Sequence, residues 1–215
     1  MNHAETPSPR RSFLTRLAAA VGAFGVGAAV PTAVLAEPGP GVLAQDEPWM
    51  KRLTAAQRVI FHSHEPTNGQ ALTWARTYLE AQKTAYGKRD DESNVLVGLN
   101  GKSIGLVFND ALWAKYPIAQ TLGMSGTSNP NGPAGSNAVA QLQSRGVIIL
   151  VCQNSLRASG QRFLPEPQRN DATARTAFAD EARANLLPGI EIVPAMVATL
   201  QMAQDRGCRY IYAGG

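Results

Sequence analysis

The sequence predicts a three-layer α/β/α domain built on a five-stranded, mostly parallel sheet. Three observations carry this. Residues 147–152, Val-Ile-Ile-Leu-Val-Cys, are apolar at every position, as a parallel strand covered on both faces must be. Four further short runs rich in apolar residues are separated by segments of helical period, the alternation that builds βαβ units. Hydrophobic residues make up 44% of the 215 positions and charged residues 17%, enough for a core and too apolar for a disordered chain.

The first strand is expected over 58–62, Arg-Val-Ile-Phe-His. Residues 69–83 then place Leu72, Ala75, Leu79 and Gln82 on one helical face. Residues 88–92 form a charged turn in which Asp90, Asp91 and Glu92 are solvated. The second strand covers 94–99 and closes on Asn100-Gly101. A helix is expected from Ser103 to Asp110, extending toward Tyr116. Residues 125–136, made of Ser, Gly, Thr, Asn, Pro and Ala without apolar period, read as a loop. Residues 137–145 read as a helix stopped by Gly146, which leads into the third strand at 147–152. Ser155 begins another helix and 171–185 an Ala-rich one. Residues 190–193 are the fourth strand, 197–205 a helix stopped by Gly207, and 210–212 the last strand. Ligands of parallel sheets bind at the carboxyl ends of the strands. Those ends carry His62 to His64, Asn100-Gly101, Cys152 to Asn154 and Pro194-Ala195.

The chain opens in another style. Arg10-Arg11-Ser12-Phe13-Leu14 precede small and apolar residues from Leu17 to Leu35, and Val34-Leu35-Ala36 offers a small-residue cleavage site. That is the layout of an export signal, and the paired arginines before Phe13-Leu14 resemble a twin-arginine signal. Residues 1–36 are therefore expected to direct the protein to the periplasm. The alternative is an uncleaved anchor, because the run is about long enough to span a bilayer. Membrane contact is expected through this segment only. Residues 37–53 read as a Pro/Gly-rich tether and 54–215 as the domain. The leader holds Arg10, Arg11 and Arg16 against Glu5, half of the formal net charge of +4. With that half assigned to export, the basic balance no longer argues for a nucleic-acid partner.

Several motifs fail on spacing. Gly101-Lys102-Ser103 looks like the end of a phosphate-binding loop, but Leu96 stands where that loop needs its first glycine. No Gly-x-Ser-x-Gly element is present, so neither nucleotide-dependent nor ordinary serine-hydrolase chemistry is expected. Cys152 is the best candidate. It ends a buried strand where a helix begins, and Asn154 or Ser155 is placed to cap that helix. Free N–H groups at a helix start favour a thiolate, and Arg157 adds to this if it turns inward. Against this stands a cysteine that simply finishes an apolar strand. Cys208 precedes the last strand, on the opposite edge of a parallel sheet, so no Cys152–Cys208 disulfide is expected. His62 and His64, if both extended, point the same way. With Cys152 they form an alternative metal site, although no metal or other cofactor is the primary expectation. Trp49, Trp74 and Trp113 are too scattered for a stacking platform and read as core or interface.

Three stretches together resemble the DsrE/DsrF-like family of small sulfur-relay proteins: Val59-Ile60-Phe61-His62, then Gly146 through Cys152 into Gln153-Asn154-Ser155-Leu156, and Leu187-Pro188-Gly189-Ile190-Glu191-Ile192-Val193-Pro194-Ala195. The resemblance covers about 58–212. It implies a homo-oligomeric three-layer domain in which Cys152 carries sulfur, received from a donor protein and passed to an acceptor. His62 and Asn154 would then orient or activate the thiol. A non-catalytic periplasmic module binding a small ligand or metal, or an oligomeric scaffold with a buried cysteine, remain as alternatives. Two segments, 114–136 and 161–185, look like insertions relative to compact members, and export is a further departure from the family's cytoplasmic relays.

Overall fold

Each of the five apolar runs finds a partner, and together they make one sheet. The computed structural model describes residues 47–133, 135 and 138–214. The expected leader, 1–36, and the first part of the expected tether, 37–46, lie outside the described residues. β1 (Gln57–Ser63), β2 (Ser93–Leu99), β3 (Ile148–Cys152), β4 (Glu191–Val193) and β5 (Arg209–Tyr212) lie in the order β4-β3-β2-β1-β5. All four pairings are parallel.

The connections are helical. α1 (Pro48–Lys51) precedes β1, and α2 (Gln70–Tyr86) joins β1 to β2. A 3₁₀ segment (Ser103–Val107), α3 (Asp110–Lys115), α4 (Ile118–Thr121) and α5 (Val139–Ser144) lead to β3. α6 (Gln153–Arg157), α7 (Gly160–Phe163), α8 (Glu166–Arg169) and α9 (Ala172–Ala184) lead to β4. α10 (Met196–Asp205) joins β4 to β5. Among the described residues no helix is long and apolar enough to cross a membrane.

Strand order dictates the layers. The chain steps from β1 to β4 in one direction and then returns beyond β1 to lay down β5. Right-handed crossovers therefore put the first three connections on one face and α10 on the other. The side chains agree. Val59, Phe61, Val97, Ile149 and Val151 pack beneath Leu72, Leu79, Trp113, Leu142 and Phe178 on one face. Ile60, Leu96, Ile148 and Leu150 pack beneath Trp49, Met50, Met196 and Ala203 on the other. Both faces of β3 are thus covered, which is why its sequence shows no polar alternation.

Two expectations need correction. The tether does not run to residue 53: Trp49 is 1% exposed and, with Met50 and Leu53, belongs to the second core. A single buried aromatic outweighs the Pro-rich composition around it. The helix expected from Ser103 toward Tyr116 is broken, because the Asn109 side chain accepts the Leu112 N–H and starts α3 afresh. The stretch 125–136 is irregular in its described residues, as expected, and it contains a buried anchor, Asn129. Its Nδ2 donates to the carbonyls of Leu106 at 2.8 Å and Phe108 at 2.6 Å, and its N–H donates to Asp110 at 2.7 Å.

Candidate functional site: the thiol at the carboxyl edge

β3 sends the chain onward to α6 on the first face, while its neighbour β4 sends it to α10 on the second. Adjacent parallel strands whose connections part in this way open a crevice at their carboxyl ends, the place where such sheets bind ligands. Cys152 is the last residue of β3 and pairs with Val193 of β4 across this crevice. Its side chain points to the α10 face and is 5% exposed. The Met196 N–H, at the first position of α10, donates to Cys152 Sγ at 3.4 Å. Ala195 before it offers no side-chain cap, so the sulfur meets one of the unpaired donors at the start of a ten-residue helix.

That differs from the expected local geometry. The expected helix donor was α6, directly after Cys152, but the donor comes from α10, 44 residues away in sequence. Neither Asn154 nor Ser155 caps α6. Ser155 is buried and its Oγ accepts the Gly101 N–H at 2.9 Å, tying α6 to the β2 loop. Asn154 and Arg157 are exposed. Gly101 has φ +59°, and a Cβ there would lie 2.6 Å from the His64 carbonyl oxygen, so only glycine admits this close approach.

His62 occupies the carboxyl end of β1 on the same face as Cys152, but β2 lies between them. Two strand spacings are about 10 Å, so imidazole and thiol do not touch. Gly98 sits between them on β2, opposite His62 and Leu150. The Met196 thioether lies over it: a Cβ at Gly98 would meet Sδ at 2.7 Å. Both ring nitrogens of His62 are engaged, Nδ1 with the Tyr210 hydroxyl and Nε2 with Asn100 Oδ1, each at 3.0 Å. With Asn100 presenting its carbonyl, Nε2 carries the proton and Nδ1 accepts from Tyr210. Burial holds the His62 pKa below the ordinary 6.5. The Asn100 bond opposes this and the nearby His64 adds to it.

β1 ends at Ser63, so His64 turns away from the strand, and its side chain is half exposed beside Glu65. His62, His64 and Cys152 therefore do not gather as the alternative metal site required, and no three His, Cys, Asp or Glu side chains among the described residues could hold a metal ion. Cys208 lies just before β5 at the amino edge. By strand register it is about six residues below Cys152, about 20 Å along the sheet. Both thiols are free and buried, and burial pushes that of Cys208 up despite the charge of Arg58. Of the partners of the two functional candidates, Asn100 was marked in the sequence by its place at the end of the second strand, whereas Met196 and Tyr210 were not singled out. Met196 follows the carboxyl end of β4, whereas Tyr210 is the second residue of β5 and carried no such positional signal.

Fold and site define a class: a parallel α/β domain, covered on both faces, with a thiol in the crevice where its strand connections part. No protein-family model and no curated protein matches the sequence. Among solved structures the chain is similar to MTH1491, a protein of unknown function from Methanobacterium thermoautotrophicum. The two share 18% identity with a TM-score of 0.43, over 73% of this chain and 98% of that one.

Proposed function

We propose that this is an exported DsrE-like protein in which Cys152 carries sulfane sulfur as a persulfide. The supporting observation is the Met196 N–H directed at Sγ from the start of α10, which gives the sulfur a fixed backbone hydrogen-bond donor. The chemistry balances without an outside oxidant. The Cys152 thiolate attacks the terminal sulfur of a persulfide donor, the donor's S–S bond breaks, and the donor leaves as a thiolate. An acceptor thiolate then takes the terminal sulfur from Cys152 by the same exchange. His62, held by Tyr210 and Asn100, acts at a distance as part of the rigid wall beside the crevice. In this reading copies of the chain associate. β5 is the surface that fits association: an edge strand exposed along its length and bearing Tyr210, Ile211 and Tyr212.

The test is intact mass after treatment with glutathione persulfide. Wild type gains one sulfur atom that cyanide removes, and Cys152→Ser does not. Equal labelling of the variant would overturn the proposal. A second reading, a thiol that only completes the interior, is favoured by the 5% exposure of Cys152. It predicts that Cys152 in the native protein reacts with thiol reagents no faster than Cys208.

A further inference from the structure

The two segments expected to be insertions meet in space. Tyr116 packs edge-on against Phe178 with ring centroids 4.7 Å apart, Phe178 stacks on Phe163 at 6.2 Å, and Phe163 packs edge-on against Phe108 at 5.5 Å. In the same two segments α4 and α7 approach, with Thr121 Oγ1 donating to the Arg162 carbonyl at 3.5 Å. The two segments and the loop after β2 line an open cavity of about 440 Å³, a size suited to a small ligand. Its charged lining residues are Lys102, Arg162 and Arg169, and its polar ones are Gln120, Thr121 and Gln161. No carboxylate lines it.

The arginines are held by backbone rather than by acids. Arg162 Nη1 donates to the Ala158 carbonyl at 3.1 Å, and Arg169 Nε donates to the Leu164 carbonyl at 2.7 Å. Among the described residues neither guanidinium has a carboxylate within ion-pair distance; only Lys102 has one, Glu65 at 3.4 Å. The large cavity at the opposite, amino edge differs. It is lined by Arg52 and Arg145, but Arg52 pairs with Glu191, and Arg145 pairs with Asp90 and Glu80. Its cations are neutralised from within the chain. The two arginines of the α4–α7–α8 cavity are oriented by backbone carbonyls and left with donors to spare, beside the carboxyl edge of the sheet that Lys102 follows.

We infer that this cavity is a binding site for a small, multiply charged oxoanion, a molecule bearing phosphate or sulfate groups. Guanidinium groups pair with such oxygens through two parallel N–H bonds, and the amides and hydroxyl of Gln120, Gln161 and Thr121 supply further hydrogen bonds. The inference stands apart from the thiol chemistry, since neither its residues nor its test involve Cys152.

Isothermal titration with inorganic pyrophosphate, at constant ionic strength, tests it. Saturable binding is expected for wild type, weakened about tenfold or more in Arg162→Gln/Arg169→Gln, as loss of charge-assisted hydrogen bonds demands. Arg89→Gln, which removes a charge on an exposed turn, should bind as wild type does. Gln120→Glu, on an exposed face of α4, should weaken binding by repulsion and serves if the double variant fails to fold. No saturable heat with wild type overturns the inference, as does equal affinity in wild type and the cavity variants.

Discussion

At the scale of single residues, the site rests on a few contacts that substitution can probe. Gly98 lets the Met196 thioether lie against the sheet beside the thiol. Gly98→Val should crowd that contact and cost about 1–3 kcal/mol in urea unfolding, the usual range for overpacking. His62 gives a pH signature. Its folded pKa lies below the unfolded value of 6.5, so the unfolded chain takes up the proton first as pH falls. The stability His62 contributes is complete above about pH 6.5 and is lost as pH falls below it toward the folded pKa. Urea midpoints should therefore drop more between about pH 7.5 and pH 5.5 for wild type than for His62→Gln. Cys152 was legible because it ends an unbroken apolar run. The Met196 donor and the Tyr210 partner of His62 were not, because they reach the site from 44 and 148 residues away in sequence.

At the scale of elements, the strands were the readable part. Continuous Val, Ile and Leu runs have few alternatives once flanked by helical period, and each strand lies within a residue or so of its expected place. The helices were read well where one apolar face was long, as in α2, and poorly where side chains bond backbone. Asn109 ends one helical turn and starts another, and Asn129 pins a stretch that composition marks only as loop. Asn129→Ala should leave the buried Leu106 and Phe108 carbonyls without their partner. A cost of about 1–3 kcal/mol is expected in thermal or urea unfolding, together with faster hydrogen exchange in the segment around residue 129.

At the scale of the whole molecule, the second face of the sheet is roofed, among the described residues, by two helices. Among these residues α1 and α10 cover Ile60, Leu96, Ile148 and Leu150, and Trp49 is the largest side chain there. Trp49→Ala should cost about 3–5 kcal/mol, and a chain beginning at residue 54 should melt well below one beginning at residue 37. Pro48–Leu53 thus belongs with the domain, although its Pro/Gly-rich surroundings in the sequence assigned it to the expected tether. The other edge of the molecule carries a separate expectation. On the proposed association through β5, charge on this edge, as Ile211→Lys, should shift light-scattering mass toward the monomer without lowering the melting temperature. An unchanged assembly would remove β5 as the contact.

The bond from the Met196 N–H to Cys152 makes one backbone amide an observer of the sulfur. Alkylating, oxidising or sulfurating Sγ alters the acceptor that this amide faces while leaving the rest of α10 in place. The ¹⁵N resonance of Met196 therefore works as an internal spectroscopic gauge. It follows the chemical state of the thiol in the unlabelled, wild-type side chain, with Cys208 too far away along the sheet to disturb the reading.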